Sequence, residues 1–172
     1  MEFAVAKPSD LDELNALYRA AILHMDAQGI FQWDDIYPAR DVLAEDISHG
    51  EMEIARIGGQ IAAAFTLNPR CDEEYELGAW RYPDARFCVL HRLCVHPLNQ
   101  GQGVATQAMN YIEDSLLQRG YETVRLDAFS SNPFALRLYE KRGYERVGEV
   151  QFRKGLFYFY EKPLAGLTLK QD

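Results

Sequence analysis

Residues 93–105, Leu-Cys-Val-His-Pro-Leu-Asn-Gln-Gly-Gln-Gly-Val-Ala, decide the fold of this chain. The segment Phe87–Val95 is apolar on both alternating faces except at His91 and Arg92, which predicts a central strand that is covered on both sides. Pro97 ends this strand, and apolar residues at helical spacing begin shortly after it. A pair of glycines therefore lies between a buried strand and the first turn of a helix.

The position of Gly101 and Gly103 at this junction favours the binding of an anion. The first turn of a helix leaves about four backbone N–H groups without partners, and their dipoles add. Without side chains, the two glycines would let a phosphate oxygen approach the backbone. No Gly-Lys-Ser/Thr ending follows, and Thr106 fills the third glycine position of the dinucleotide fingerprint, so neither familiar phosphate loop fits. The alternative is that the glycines only form a tight turn.

Strands and helices alternate along the rest of the chain. The predicted strands cover residues 2–6, 51–57, 60–67, 87–95 and 123–129, with one or two more within 147–163. The predicted helices run from Pro8 to about Gly29, over 39–49, from Val104 to Gly120 and from Pro133 to Gly143. Because a helix separates strands 87–95 and 123–129, these two strands are expected to be parallel. Residues 68–86 show no regular pattern.

Four local signals mark where these elements begin and end. Ser9 and Asp12 stand at capping-box spacing at the start of the first helix. Gly58-Gly59 is typical of a two-residue hairpin turn. Asn132 is predicted to cap the last helix at its amino end, and Gly143 is predicted to close it as the C′ residue.

Composition and charge narrow the class of protein. The 172 residues are 48% hydrophobic and 26% charged, which fits a single domain over residues 1–172. The net charge of −8 argues against a nucleic-acid partner and weakly favours cationic ligands. The longest strongly apolar stretch, Ile61–Leu67, is far short of the roughly 18 residues that span a membrane, and the start Met-Glu-Phe lacks a basic, apolar leader. We expect a cytoplasmic protein without a membrane partner.

The cysteines and histidines predict neither disulfides nor a metal site. The three cysteines, Cys71, Cys88 and Cys94, form an odd set that suggests reduced thiols. On one strand, Cys88 and Cys94 would lie about 20 Å apart, whereas a disulfide needs Cα atoms within about 7 Å. His91 and His96 are expected on opposite faces of their strand, so they do not form a metal-ligand pair.

Two motifs resemble one known family. The segment Asn132–Tyr144, Asn-Pro-Phe-Ala-Leu-Arg-Leu-Tyr-Glu-Lys-Arg-Gly-Tyr, is similar to the Asn-x-x-Ala-x-x-Leu-Tyr-Glu-Lys-x-Gly-Phe/Tyr helix of the GNAT superfamily of acyl-CoA-dependent N-acetyltransferases. The stretch Gln100–Ala105 resembles the pyrophosphate loop of that family, Gln/Arg-x-x-Gly-x-Gly/Ala. The predicted order of elements across residues 2–163 is also the order of the family.

The resemblance implies an α/β (α+β) fold with a mixed, twisted, predominantly antiparallel sheet of six to seven strands and four helices. The fourth and fifth strands would form a splayed parallel pair that admits acetyl-CoA as co-substrate, without a metal. Main-chain groups of Leu93 and Val95 would bind the pantetheine arm, and Asn132 would contact the cofactor nearby. The pyrophosphate would be bound by Gln100, Gly101, Gln102, Gly103, Val104, Ala105 and Thr106.

The same resemblance places Tyr139 beside the thioester sulfur. Attack of an amine on the thioester expels a thiolate whose conjugate acid has a pKa of about 8.5, and a phenol can donate a hydrogen bond or a proton to it. The alternative is a core tyrosine on an amphipathic helix. Cys94 could suggest an acyl-enzyme, but no motif supplies an adjacent base, and a buried structural thiol is the favoured interpretation.

The sequence does not identify the general base. An alkylammonium of pKa near 10 must lose a proton before it attacks, and His91 on the central strand could accept that proton directly or through water. A core histidine with satisfied hydrogen bonds is the alternative. Asp34 and Asp35 are further candidates, and Asp127 could instead tie the end of its strand to a neighbouring loop.

The acceptor is expected at residues 29–38, called the aromatic loop below. Phe31, Trp33 and Tyr37 could form an apolar pocket, with Asp34 or Asp35 directing a cationic amine, or the loop could pack its own aromatics. We favour a primary amine of a small molecule over a protein or peptide acceptor. A non-catalytic acyl-CoA sensor is the competing class of function, and a homodimer is left open.

Overall fold

A computed structural model describes residues 1–165 of the chain. The strands are β1 Glu2–Val5, β2 Met52–Ile57, β3 Gln60–Asn68, β4 Phe87–Val95, β5 Thr123–Phe129, β6 Glu145–Phe152 and β7 Gly155–Pro163. The helices are α1 Leu11–Asp26, α2 Arg40–Ser48, α3 Val104–Gln118 and α4 Pro133–Lys141. None of the helices in this part of the chain combines the length and apolar character that a membrane span requires.

The strands form one mixed sheet in the order β1-β2-β3-β4-β5-β7-β6. The pairs β1/β2, β2/β3, β5/β7 and β6/β7 are antiparallel. The pair β4/β5 is parallel, with Phe87 to Val89 opposite Thr123 to Arg125. This arrangement confirms the predicted fold class, including the parallel pair across the helix between residues 95 and 123.

The chain divides into two compact units. The first contains residues 1–67 and 91–108, and the second contains residues 68–90 and the described residues from 109 onward. β4 and α3 are continuous elements that each contribute residues to both units. The single domain expected over residues 1–172 stays a prediction.

The core of the first unit is built on one face of α1. This face follows the three- and four-residue spacing of an amphipathic helix and packs with α2 and β2. Its buried side chains are Leu14, Leu17, Tyr18, Ala21 and Ile22. They share one apolar cluster with Leu43 and Ile47 of α2 and with Met52 and Ile54 of β2.

The start of α1 differs from the predicted capping box. A short 3-10 turn covers Pro8–Asp10, and α1 begins at Leu11. The backbone N–H of Lys7 donates to the Asp10 carboxylate at 2.8 Å, and the Asp10 N–H donates to the Lys7 carbonyl at 2.8 Å. Because this pair closes a turn ahead of the helix, the expected Ser9/Asp12 box was wrong.

The other local signals are confirmed. Ile57 pairs with Gln60 across Gly58-Gly59, whose φ angles of 58° and 84° are the left-handed values that such a hairpin turn needs. The Asn132 side chain accepts a hydrogen bond from the Ala135 N–H at 3.2 Å, as an amino-terminal cap does. Gly143 follows α4 with a φ of 79°.

The second unit contains a buried ion pair between paired residues of β5 and β7. Nε of Arg125 donates to Glu161 at 3.0 Å, and the two side chains are 6% and 1% exposed. The other Glu161 oxygen accepts the backbone N–H of Arg81 at 2.7 Å. The Arg125 guanidinium also lies 4.4 Å from the ring centre of Trp80 and 4.1 Å from that of Phe87. This pair therefore fixes part of the segment 68–86, for which the sequence predicted no structure.

We expect Glu161→Gln to lower the free energy of unfolding by about 3 kcal/mol, because it leaves the Arg125 charge buried without a counter-charge. Urea denaturation measures this change. Glu149→Gln is the matched control, since Glu149 pairs with Arg146 at the surface with its side chain 57% exposed, and it should change stability by less than about 1 kcal/mol. Equal effects of the two variants would contradict the assignment.

Candidate active site

The loop between β4 and α3 has the geometry of an open anion cradle. Gly101 and Gly103 have φ angles of 72° and 78°, values that side-chain-bearing residues rarely adopt. A Cβ placed on either glycine would meet no other protein atom within 4 Å, so the space beside the backbone is open. The 15-residue helix α3 starts at Val104. The glycines therefore both shape the turn and leave room for a phosphate at a helix start.

Two glutamine side chains close this loop on itself. The Gln100 amide donates to the Val95 carbonyl at 3.1 Å, and the Gln102 amide donates to the Leu98 carbonyl at 2.7 Å. Their side chains shape the loop, so any contact with a pyrophosphate would come from backbone N–H groups. The Val95 carbonyl therefore accepts one hydrogen bond within the loop, and the predicted role of Val95 toward pantetheine stays a prediction.

β4 departs from regular strand geometry at Arg92. This is the one non-glycine residue among residues 1–165 with a positive φ, 54°. Its carbonyl accepts the Tyr18 hydroxyl at 2.7 Å. Its guanidinium forms a fork with the buried Asp46 carboxylate at 2.6 to 3.0 Å, and Nη1 donates to the Tyr37 hydroxyl at 2.6 Å. His91, the predicted base, is half-buried next to this irregularity.

The aromatic loop places its three aromatics in different surroundings. Trp33 is 8% exposed and belongs to the core of the first unit, where its ring lies 5.5 Å from that of Tyr18. Phe31 is 57% exposed, and the Tyr37 ring is partly exposed. As predicted binding residues, Phe31 and Tyr37 therefore have more support than Trp33, which packs as the alternative interpretation expected.

The aspartates of the same loop are engaged within the protein. Oδ1 of Asp34 accepts the backbone N–H groups of Ile36 and Tyr37 at 3.0 and 3.1 Å, which closes a tight turn. Asp35 pairs with Arg19 at 2.7 Å and is exposed. Asp34 therefore shapes the loop, and its predicted role toward an amine stays a prediction.

Tyr139 lies in the second unit, on α4, and is buried. Burial, together with the carboxylate of Asp127, raises the pKa of the Tyr139 phenol well above its usual value. Its ring lies 5.7 Å from that of Tyr144 and 6.2 Å from that of Tyr160. Tyr139 is thus a core tyrosine in its packing, with a hydroxyl that stays protonated through the physiological range. Asn132, the other predicted site residue of this unit, caps the same helix.

Asp127 connects β5 to the segment 68–86, as one interpretation of the sequence suggested. The Tyr75 hydroxyl donates to Asp127 at 2.7 Å. The buried Tyr75 ring forms a cluster with the rings of Trp80, at 5.6 Å, and Phe159, at 4.7 Å, which also contact each other at 5.4 Å. A buried tyrosine and a carboxylate therefore give this segment a fixed place in the second unit.

The two cysteines of β4, Cys88 and Cys94, do not have the surroundings of a nucleophile. Both thiols are buried, and burial raises the pKa of the Cys94 thiol far above its usual value. A thiol of raised pKa is almost wholly protonated at neutral pH and reacts slowly. Within residues 1–165, no cluster of three or more His, Cys, Asp or Glu side chains is arranged to bind a metal ion.

Comparison with known proteins identifies this arrangement. The model of the acetyltransferase (GNAT) family matches residues 15–144, well over half of the chain. The chain belongs to the acetyltransferase (GNAT) family. This confirms the family and the enzyme class that the two sequence motifs predicted, and both motifs, residues 100–105 and 132–144, lie within the matched range.

Solved structures of similar fold match nearly the whole chain of this acetyltransferase. One from Staphylococcus aureus Mu50, assigned as an acetyltransferase, is 27% identical with a TM-score of 0.74, over 95% of this chain and 99% of that chain. A GNAT-family acetyltransferase from Streptococcus agalactiae 2603 is 22% identical with a TM-score of 0.81, over 94% of both chains. YncA from Salmonella typhimurium, assigned as an acetyltransferase and solved with its cofactor acetyl-CoA, is 17% identical with a TM-score of 0.71, over 99% and 98%.

The sequence did not predict the pairs of side chains that lie far apart along the chain. Arg92 and Asp46 are 46 residues apart, and their pairing leaves no periodic signal. The one available hint was an arginine on an otherwise apolar strand, because a buried arginine requires a partner. The residues that were predicted fall into both units, with Leu93, Val95 and the loop 100–106 in the first, and Asn132 and Tyr139 in the second.

Gly103→Ala should weaken CoA binding about tenfold or more, because the added methyl group would stand where a phosphate oxygen approaches the backbone. Calorimetric titration with CoA at fixed salt measures this effect. Gly50→Ala is the matched control, since Gly50 also has a positive φ, 69°, and open space around its Cβ position. Both variants should lose about 1–2 kcal/mol of stability through backbone strain. CoA affinity equal in the two variants would remove the cradle assignment.

Proposed function

We propose that this protein transfers the acetyl group of acetyl-CoA to a primary amine of a small molecule, by direct attack in a ternary complex. The observation that carries the proposal is the loop at Gly101 and Gly103, which combines left-handed glycines, open space and a helix start. Membership of the acetyltransferase family and the acetyl-CoA bound to YncA support the same co-substrate.

Residues of the first unit would bind the cofactor mostly through their backbones. Backbone N–H groups of Gln100 to Thr106 would bind the pyrophosphate, and main-chain groups of Leu93 and Val95 would bind the pantetheine arm. Gly101 and Gly103 allow this because the approach to their backbone is open. In the second unit, Asn132 would contact the cofactor near the pantetheine.

Tyr139 would stabilise the leaving group. In the transfer, the amine nitrogen forms a bond to the carbonyl carbon, and the bond from that carbon to sulfur breaks with its electron pair on sulfur. A thiol has a pKa of about 8.5, and the pKa of the buried Tyr139 phenol lies well above 10. Complete proton transfer from Tyr139 to the thiolate is therefore uphill, and a hydrogen bond to the developing thiolate is the main contribution.

His91 would serve as the base that removes a proton from the attacking amine. A neutral imidazole can accept this proton directly or through one water, and the side chain is half-buried on β4. Turnover should rise from pH 6 to pH 9, because the unprotonated, reactive form of the amine becomes more abundant.

A small amine is favoured as acceptor because of the aromatic loop and the charge of the chain. Phe31 and Tyr37 expose ring surface on this loop. The net charge of −8 attracts cations. Aromatic faces and a negative field together suit an ammonium group.

The test is a screen of amines and peptides with acetyl-CoA, in which free thiol is measured and acetylated products are identified by mass spectrometry. Small amines should be turned over faster than peptides. A preference for peptide amino termini would indicate that the protein acetylates proteins or peptides instead. Acetyl-CoA binding without turnover on any acceptor would leave the sensor interpretation.

Tyr139→Phe should lower the single-turnover rate about 10²-fold, with little change in acetyl-CoA affinity, because it removes one positioned hydroxyl and keeps the ring. Tyr144→Phe is the matched control, since its hydroxyl is also buried and its ring contacts that of Tyr139. The raised phenol pKa predicts that the wild-type rate shows no falling limb up to about pH 10. A variant with more than half the wild-type rate would mean that Tyr139 serves only in packing.

A further inference from the structure

The Arg92 guanidinium connects the aromatic loop to the central strand. Its Nε and Nη2 groups are engaged by Asp46, and Nη1 donates to the Tyr37 hydroxyl at 2.6 Å. Asp46 is itself fixed, because the Thr66 hydroxyl of β3 donates to its carboxylate at 2.9 Å. The chain of contacts therefore runs from the sheet through Asp46 and Arg92 to Tyr37.

A second chain of contacts reaches the same loop from the Arg92 backbone. The Arg92 carbonyl accepts the Tyr18 hydroxyl, and the Tyr18 ring packs on Trp33. Between Trp33 and Tyr37, the Asp34 carboxylate closes the turn. One residue of β4 thus determines the position of the loop at two points.

The cost of this arrangement suggests that it has a role beyond packing. Arg92 adopts a strained backbone conformation for a side-chain-bearing residue, and its side chain is only 10% exposed in an ion pair with Asp46. Buried ion pairs add little to stability compared with apolar residues of similar size. Both features occur between His91 and Leu93, the residues proposed for the base and for the pantetheine arm.

We propose that Arg92 is a positioning residue for the amine acceptor: through Tyr37 it fixes the aromatic loop against the strand proposed to bind acetyl-CoA. This inference rests on the proposed function and deepens it. Arg92 does not contact the amine in this scheme. It sets where the exposed face of the loop, which carries Phe31 and Ile36, stands when the amine binds.

Tyr37→Phe is the decisive variant, because it removes only the hydroxyl and leaves the ion pair of Arg92 with Asp46 intact. Amide hydrogen exchange over residues 29–38 should become several-fold faster. The KM for the amine should rise about tenfold, which corresponds to one lost hydrogen bond to a charged group. The kcat and the KM for acetyl-CoA should stay within twofold of the wild type.

Two further variants separate positioning from general destabilisation. Arg92→Lys keeps the positive charge and the strained position but loses the planar fork, and it should shift the same quantities in the same direction. Tyr121→Phe is the control, because Tyr121 also lies beside an arginine, with the Arg86 guanidinium 4.4 Å from its ring, but far along the chain in the second unit. It should leave loop exchange and both KM values unchanged.

The outcomes distinguish this inference from the proposed function. Unchanged exchange in Tyr37→Phe, an unchanged amine KM, or an equal rise in both KM values would overturn the positioning role while amine acetylation stands. A wild type that acetylates no acceptor would overturn the proposed function and with it the role toward the amine. The exchange measurement would then still decide whether Arg92 fixes the loop.

Discussion

The buried fork between Arg92 and Asp46 is the interaction on which the first unit depends. It joins α2 to β4, and the same arginine carries an inverted backbone conformation in the middle of the strand. A left-handed residue in a strand costs about 1–3 kcal/mol and persists only where its surroundings over-determine it. Here the Tyr18 hydroxyl and the Asp46 carboxylate supply that determination, so the path of β4 toward the glycine loop is set by contacts from two helices.

The second unit also contains a buried arginine paired with a carboxylate, but in a regular strand. Arg125 is also buried, but its strand is regular, and its carboxylate partner lies directly opposite on β7. Two aromatic rings cover the guanidinium, and the Tyr82 carbonyl accepts one of its hydrogen bonds. The Arg125–Glu161 pair on the sheet thereby fixes part of the long segment between β3 and β4, through the backbone of Arg81 and Tyr82. The regular secondary structure described in that segment is one short 3-10 helix.

Most of the fold could be predicted because its signals are local. The Gly58-Gly59 turn, the Asn132 cap and the apolar periodicity of α1 each depend on residues a few positions apart. The segment around Tyr75 could not be predicted, because its place depends on a hydroxyl that reaches Asp127, 52 residues away. The start of α1 was misassigned because Asp10 closes a turn with Lys7 and also pairs with Arg56, 46 residues away, a contact that no local pattern shows.

In the candidate site, too, the local motifs could be predicted and the contacts between distant residues could not. The glycine loop and the Tyr139 helix are short motifs, so the sequence was enough to propose them. The surroundings of Trp33 were not predictable, because an aromatic residue in a loop can face solvent or the core, and the outcome depends on Tyr18 of α1. Arg92 shows the limit most clearly: its residue type was visible, but its partner on α2 was hidden among surface-like acidic residues.

The positions of the two tryptophans give the chain a built-in spectroscopic label for each compact unit. Trp33 lies in the first unit beside the Tyr18 ring, and Trp80 lies in the second beneath the Arg125 guanidinium. The sequence contains no third tryptophan. Fluorescence from a protein with one indole replaced by phenylalanine would therefore report on one unit alone, and a pair of such variants would allow the melting of each unit to be followed separately.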